Sequence, residues 1–196
     1  MTVATVPRQG IIPSTRPRAK LITGEKLQAM GDIGPCELID GRIVPMVPTG
    51  SEHGVIEFNL GRHIGNFIAA RKLGWVSGGE VGVYTRRNPD RVRGADIAFV
   101  SRERLPDGPP KGFLTVAPDL VVEIVSPDDR WQSIRDKLEE YFAIGVYRVW
   151  IVEPDNRAVL VYSSSTEMRK FGEGDTLAGE GVLDGFSLLI AELFEV

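Results

Sequence analysis

The pattern of hydrophobic and polar positions is clearest in residues 118–127, an apolar and mostly β-branched run with a proline at each end. A run of this length and composition predicts a short strand that is buried on both faces. One carboxylate, Glu123, lies inside the run. Burying an ionised carboxylate costs roughly several kcal/mol unless a cation or hydrogen-bond donors compensate it. The pattern therefore predicts such a partner beside Glu123.

The rest of the pattern predicts a chain that mixes strands with two long helices. Asp40-Gly41, between two apolar stretches, predicts a β-hairpin. The further predicted elements are a helix at 51–73, strands at 75–84 and 92–100, a helix at 128–144, strands at 148–152 and 158–162, and a turn-rich end with an apolar segment at 188–194. The strand–helix–strand order predicts that strands 119–125 and 148–152 run parallel. Together these elements indicate an α/β fold (an α+β mixed sheet flanked by helices), with helix 51–73 on one face.

Composition places the chain among globular proteins of ordinary size. Its 196 residues are 42% hydrophobic and 26% charged, the balance of a globular domain. No apolar run approaches the roughly 18 residues that a membrane-spanning helix needs. The chain has one cysteine and two histidines, which excludes an internal disulfide and argues against a His/Cys zinc site. We therefore expect a cytoplasmic protein that does not enter membranes.

The formal net charge of −4 is unevenly distributed. Residues 1–20 contain four basic residues and no acidic one, which leaves −8 for the rest of the chain. A basic end of this kind is typical of a disordered tail and also fits an arm that contacts nucleic acid. We expect a disordered basic tail at 1–20, followed by a single domain at 21–196.

A second carboxylate breaks the local pattern in the strand predicted at 92–100. Asp96 shares a strand face with Gly94 and Ala98, small residues that leave room around its side chain. If this strand is a neighbour of strand 119–125, Asp96 and Glu123 can face one another. When two carboxylates lie so close together, either the pKa of one of them rises or a cation must bind beside them.

Lys137 lies at the edge of the buried stripe of the helix predicted at 128–144. From there its side chain either extends outward to solvent or reaches back over the end of strand 119–125. Asp, Glu and Lys together suit a hard divalent cation and the hydrolysis of a phosphodiester. The cation lowers the pKa of a bound water from about 15.7, and the lysine offsets charge that grows on the phosphate. The simpler alternative is that these carboxylates form caps or salt bridges.

Glu52 is a further candidate, in the first turn of the helix at 51–73. An acidic residue there favours the helix dipole. Its helical angle also places it about 40° from Ile56, a residue of the buried stripe, so that it is expected to point inward. The pattern leaves both interpretations open.

An ordered set of segments gives these candidates a common context. The segments are ELIDGRIVPM at 37–46, GSEHG at 50–54, ADIAFVSRER at 95–104 and PDLVVEIVSP at 118–127, followed by Asp136-Lys137, Tyr141, Gly145-Val146 and VWIV at 149–152. This set resembles the Uma-type restriction endonuclease family, within the PD-(D/E)XK nuclease superfamily. The resemblance covers roughly residues 21–194 and is most specific from Glu123 to Trp150.

The resemblance implies a restriction-endonuclease-like core with a metal at the strand ends. Asp96 and Glu123 would bind the metal through their carboxylates, and Ile124 through its backbone carbonyl. The superfamily usually places its lysine two residues after the glutamate, where this chain has Val125. The Uma-type pattern takes the lysine from the following helix instead, which Lys137 matches. Glu52 would correspond to a helical glutamate that relatives place near the metal.

We therefore predict a Mg²⁺- or Mn²⁺-dependent DNA endonuclease. Its catalytic residues would be Asp96, Glu123, Lys137 and Glu52, and by analogy with the superfamily it would act as a homodimer. Two alternatives stay open: a catalytically inactive module that binds DNA or protein, and a metal-dependent hydrolase of another phosphoester. The presence of Asp96, Glu123 and Lys137 together favours the nuclease.

Overall fold

The computed structural model describes residues 20–127 and 129–195, so the tail predicted at 1–20 lies outside the described residues except for Lys20. The helices of this part are α1 (Gly24–Ala29), α2 (Ser51–Arg71) and α3 (Trp131–Ala143). The strands are β1 (Cys36–Ile39), β2 (Arg42–Pro45), β3 (Gly74–Arg86), β4 (Arg91–Ser101), β5 (Leu120–Ile124), β6 (Arg148–Glu153), β7 (Ala158–Tyr162), β8 (Met168–Phe171), β9 (Thr176–Ala178) and β10 (Ser187–Leu189). Two 3₁₀ helices, Gly181–Leu183 and Ile190–Phe194, lie near the end.

Eight of the strands form one mixed sheet. Its order is β2-β1-β4-β5-β6-β7-β8, and β3 pairs with β4 off this path. β5 and β6 run parallel, with Glu123 opposite Ile151, and α3 connects them, as the strand–helix–strand order predicts. The predicted mixed sheet flanked by helices is thus confirmed.

The two long helices cover opposite faces of the sheet. α2 packs Ile56 and Leu60 into one hydrophobic cluster, and α3 packs Ile134 and Leu138 into the cluster on the other face. In both helices these residues recur every three or four positions, which aligns them in one stripe. All five residues of β5 are buried between the two layers, as the apolar run predicts.

β4 divides one of its edges between two partners. β3 pairs with β4 along nearly its full length and so occupies one edge. On the other edge, β1 pairs with β4 at Val92 and β5 pairs with it at residues 97–99. Residues 93–96 therefore lie between the ends of β1 and β5, without a strand neighbour on that edge. We call this gap the fork; its backbone polar groups need partners from side chains.

Both long helices are shorter than predicted. α2 ends at Arg71 because Lys72 adopts the left-handed conformation with φ 55°. α3 begins at Trp131 rather than at 128, a position that lies outside the described residues. None of the helices in the described ranges is long and apolar enough to cross a membrane.

The chain after Tyr162 contains more strand than its pattern predicts. β8 extends the main sheet, and β9 and β10 form a separate two-stranded sheet. These strands have only three or four residues each, and most of those residues are exposed or half-buried. Such short segments give too few apolar positions for a period of two to be recognised.

Candidate active site

Asp96 lies at the fork and is only 4% exposed. Its Oδ2 accepts a hydrogen bond of 2.6 Å from the backbone N–H of Ile124. The carboxylate thus takes the place of a backbone carbonyl acceptor at the point where β5 separates from β4. The same oxygen lies 3.3 Å from Nε2 of His53, near the start of α2. Asp96 therefore joins β4, β5 and α2 at one point.

Glu123 is 8% exposed, and both of its oxygens have donors from α3. Nζ of Lys137 donates to Oε2 at 2.7 Å, and the hydroxyl of Tyr141 donates to Oε1 at 2.6 Å. Burial raises the pKa of Glu123, Lys137 lowers it and Asp96 raises it further, which brings it to about 7. Lys137 and Tyr141 are therefore the partners that a carboxylate inside an apolar strand requires.

Lys137 spans the fork. Its Nζ also donates to the carbonyl oxygen of Gly94 at 3.0 Å and lies 3.4 Å from Oε1 of Glu37. Burial lowers the pKa of Lys137, but Glu123 and Glu37 outweigh burial and hold it above its ordinary value. Glu37 in turn accepts hydrogen bonds from the Gly94 N–H at 3.1 Å and from Arg93 at 2.8 Å. Side chains thus satisfy both backbone groups of Gly94.

Helix α2 brings a second group of ligand-type side chains to the fork. His53 and Glu57 are one helical turn apart, and one potential ligand atom from each lies within 4.8 Å of the other and of Asp96. Burial lowers the pKa of His53, but the hydrogen bond and charge of Asp96, with the charges of Glu57 and Glu80, raise it overall. This group was not among the predicted site residues, although His and Glu at positions i and i+4 on one helix are a signal for it.

A bulge in β3 faces Asp96 and carries a further acid, Glu80. The pairing register shifts between Gly78 and Val81, and Glu80 has a φ of 60°, which costs a residue with a side chain roughly 1 kcal/mol or more. A Cβ on Gly94 would lie 2.6 Å from Oε2 of Glu80, so the glycine makes room for this carboxylate. Burial and the charge of Asp96 raise the pKa of Glu80. The two glycines before Glu80, inside a strand pattern, are the signal that indicates a bulge.

Several of these residues line one cleft of about 350 Å³. The predicted residues that line it are Asp96, Glu123, Ile124 and Lys137, and the residues that the structure adds include His53 and Glu80. The structure therefore brings together four of the five residues predicted for the site.

Glu52 is the predicted residue that the structure does not bring to this cleft. It is exposed, contrary to the expectation that it points inward, and it lines a neighbouring cleft of about 360 Å³ with Trp131 and Asp155. His53, on the other side of the helical stripe, faces Asp96 instead. At its start α2 approaches the edge of the fork, so contact with β4, rather than the centre of the apolar stripe, decides which residue faces inward.

Four arginines of the β3–β4 hairpin form ion pairs with acids of the same chain. The ion pairs are Arg86–Asp40, Arg87–Glu25, Arg91–Asp40, Arg91–Glu140, Arg93–Glu37 and Arg93–Glu140. They connect the β3–β4 hairpin with the β1–β2 hairpin, α1 and α3. These arginines therefore form an internal ion-pair network.

The fold is similar to that of a solved structure. A solved structure from Anabaena variabilis ATCC 29413, described as "a putative nuclease belonging to DUF820", is similar to this chain with a TM-score of 0.74. The similarity covers 88% of this chain and 97% of that chain at 22% sequence identity.

Residues 25–191 match the Uma2 family, described as "Putative restriction endonuclease". The match covers most of the chain, so the chain belongs to this family, and the resemblance drawn from the sequence segments is confirmed. The family's description supports a nuclease function in general terms. Among curated proteins, no significant match is found.

Proposed function

We propose that the protein is a Mg²⁺- or Mn²⁺-dependent endonuclease that hydrolyses phosphodiester bonds in DNA. The observation that carries the proposal is the ion pair at the fork, where Nζ of Lys137 lies 2.7 Å from Glu123. Asp96 lines the same cleft, so a lysine and two carboxylates meet there. Membership of a family described as restriction endonucleases supports the same reaction.

The residues around the fork fit a divalent cation. Glu80, Asp96 and Glu123 bring three carboxylates to a cleft in which, of the described residues that line it, only Lys137 has a permanent positive charge. Asp96 contributes to the raised pKa of both Glu80 and Glu123, which indicates negative charge that the protein leaves only partly compensated. The carboxylates of Asp96 and Glu123 and the carbonyl of Ile124 would hold the cation, since hard cations prefer oxygen ligands. When bound, it would offset this charge and polarise a phosphoryl oxygen.

Lys137 and Tyr141 have separate parts in this proposal. Lys137 has a raised pKa, so it stays protonated at neutral pH and acts as a donor and a positive charge rather than as a base. It can therefore offset charge that grows on a phosphate oxygen. Tyr141 is completely buried and holds the second oxygen of Glu123, which fixes the orientation of that carboxylate.

DNA would reach this cleft only with help from cations. The four arginines of the β3–β4 hairpin are paired with acids, so they give a metal-free binding module little free basic surface. We expect weak DNA binding without metal, since affinity for DNA comes mainly from neutralised phosphates. The homodimer also stays part of the proposal, because a duplex has two strands to cut; sedimentation equilibrium tests it.

Plasmid cleavage by matched variants tests the proposal. Wild type and Glu123→Gln are incubated with supercoiled plasmid in Mn²⁺, in Mg²⁺ and in EDTA. We expect wild type to nick the plasmid with a divalent cation and not in EDTA. Glu123→Gln should lose about 100-fold or more of this rate, the size of effect seen when a group that stabilises the transition state is removed. Isothermal titration with Mn²⁺ should show a binding event at this site in wild type that Glu123→Gln lacks.

Glu139→Gln is the control, because Glu139 is exposed on the same helix as Lys137. This substitution removes the same charge as Glu123→Gln. It should cleave like wild type. Wild type that binds Mn²⁺ but cleaves neither plasmid nor single-stranded DNA would favour the binding module. Cleavage of bis-p-nitrophenyl phosphate without cleavage of DNA would favour the other phosphoesterase. Absence of Mn²⁺ binding by wild type would overturn the site.

A further inference from the structure

A second cleft, of about 360 Å³, lies beside the cleft at the fork. The two clefts share four lining residues, Gly50, His53, Ser126 and Pro127. They therefore meet where α2 starts and where the chain leaves β5. We call the second one the Trp131 cleft, which Trp131, Glu52 and Asp155 also line. Its volume suits a small organic group, since ligand pockets measure roughly 300–1,000 Å³. A molecule bound at the fork can thus place one of its groups here.

Trp131 differs from the other two tryptophans of the chain in what covers its ring. Trp150 is 2% exposed and packs against Phe186. Arg102 lies over the ring of Trp75, 4.4 Å from its centroid. Trp131 is 39% exposed, and among the described residues no aromatic ring or arginine stacks on it. An exposed indole beside a cleft offers a face on which another planar ring can stack.

The acids of the Trp131 cleft decide which kind of group fits. Glu52 and Asp155 are exposed, and in the part of the chain that the structure describes neither side chain has a hydrogen-bond or ion-pair partner. The charge of Glu52 acts on Arg157, but the guanidinium of Arg157 is paired with Glu173. Ionised carboxylates accept hydrogen bonds and repel a phosphate. The cleft therefore suits a neutral, planar group that donates hydrogen bonds.

We propose that the Trp131 cleft binds an unpaired nucleobase that carries an amino group, next to the phosphodiester at the fork; in this respect the inference rests on the proposed function. The base would stack on Trp131, and its amino group would donate to Asp155 or Glu52. Carboxylates accept from the N4 amino group of cytosine, whereas thymine has an acceptor oxygen in that place. A base reaches such a cleft only from a single strand or when it turns out of the duplex. Cytosine should therefore be preferred to thymine.

The three tryptophans of the chain make a direct test simple. Indole N–H signals of the untagged full-length protein are recorded by ¹H–¹⁵N correlation NMR, and Trp131→Phe identifies the signal of Trp131. 2′-Deoxycytidine or thymidine is added in EDTA, since a nucleoside without phosphate needs no metal. We expect a saturable shift of the Trp131 signal with deoxycytidine and none for Trp75 or Trp150. Thymidine should bind about fivefold more weakly or worse, the contribution of one hydrogen bond.

Variants separate stacking from hydrogen bonding. The side-chain amide signal of Asn156, which also lines the cleft, reports binding where the indole is replaced. Trp131→Ala should bind deoxycytidine about tenfold more weakly, because stacking on an aromatic ring commonly contributes that much per base. Trp131→Phe keeps an aromatic face and should lose less. Asp155→Asn should reduce the preference for deoxycytidine over thymidine, and Asp107→Asn, an exposed change of the same charge outside the cleft, should keep it.

The outcomes distinguish this inference from the proposed function. A Trp131 signal that does not move with deoxycytidine overturns the inference, even in a protein that cleaves DNA. A saturable shift in a protein that cleaves no nucleic acid supports the base site while the proposed function fails. Tighter binding of Nα-acetylarginine amide than of deoxycytidine would mean that the cleft takes a basic peptide, which overturns the inference. If Trp131→Ala does not fold, Asp155→Asn decides: a preference for deoxycytidine that persists unchanged rejects the proposed hydrogen bond.

Discussion

The two sides of the cleft treat buried charge in opposite ways. On the α3 wall, formed by Glu123, Lys137 and Tyr141, each oxygen of the carboxylate receives a donor at 2.6–2.7 Å. On the α2 wall, formed by His53, Glu57 and Asp96, two carboxylates lie near one imidazole, and within the described part of the chain Asp96 has only that imidazole and a backbone N–H as partners. Glu80 adds another acid beside the α2 wall.

This difference indicates which part of the site the protein completes by itself. The α3 wall is balanced by its own donors, so its geometry should be the same with and without metal. The α2 wall has more acid than base, so its stability should respond to a cation. Charge removal should therefore destabilise the α3 wall and relieve the α2 wall, and the predictions that follow test this contrast.

Lys137→Met should give the largest effect. It leaves Glu123 without its cation, and breaking a buried ion pair by removing one partner costs about 3–5 kcal/mol. The folded-state pKa of Glu123, about 7, is above its ordinary value of 4.5. The folded state therefore holds the proton more tightly than the unfolded state, and stability falls as pH rises through this window. Without Lys137, which lowers this pKa, the fall should extend to higher pH.

The measurement is urea denaturation of Lys137→Met in EDTA at pH 5 and pH 8. We expect a much smaller loss at pH 5, where Glu123 is protonated and needs no cation. Arg135→Met, an exposed change on the same helix, should be close to wild type at both values. An equal loss at both pH values would mean that Lys137 stabilises α3 by packing and not by its charge.

Glu57→Gln should have a smaller effect of the opposite sign. In EDTA it removes one of the acids near Asp96, and relief of such a repulsion is worth up to about 1 kcal/mol, the range of partly exposed charge pairs. The amide oxygen of glutamine can still accept the N–H of Gly79 that Glu57 accepts now. We expect a slightly higher urea midpoint than wild type at pH 8.5, where a proton on His53 contributes least.

Mn²⁺ should reverse the order of stability of wild type and Glu57→Gln. An ion that binds only the folded state stabilises it by mass action, and wild type should bind more of it than Glu57→Gln. Urea denaturation of both proteins, in EDTA and in excess Mn²⁺, measures the sign of their stability difference under each condition. A lower stability of Glu57→Gln in EDTA would show that Glu57 serves as a structural partner and would remove the contrast between the two walls.

The sequence predicts the α3 wall better than the α2 wall, for a physical reason. Glu123 stands out because an acid inside an apolar strand breaks a local rule, and Lys137 follows from its position in the next helix. These signals are local. In a strand–helix–strand unit the helix packs against the preceding strand, which brings Lys137 close to Glu123. The parallel pairing of β5 and β6 was predictable on the same basis.

The α2 wall depends on contacts that no local pattern contains. Glu80 reaches the cleft through a bulge that shifts the register of β3. Two glycines signal this bulge, but only the pairing of β3 with β4 shows that it faces Asp96. The fork also arises from pairing, because β1 and β5 share one edge of β4. His53 and Glu57 carry a helical signal, but only the position of α2 against β4 gives that signal a meaning.

Glu52→Gln should give the smallest effect, and it decides between the resemblance and the geometry. The resemblance implies that Glu52 is the helical glutamate near the metal, whereas the structure places it, exposed, in the neighbouring cleft beside Trp131. An exposed charge outside the cleft acts through solvent, where its interactions are worth about 1 kcal/mol or less. We therefore expect at most about a fivefold change in the rate of plasmid nicking. A loss of about 100-fold, with the protein still folded, would mean that α2 turns to bring Glu52 inward when DNA binds, and that the contrast between the two walls holds only for the free protein.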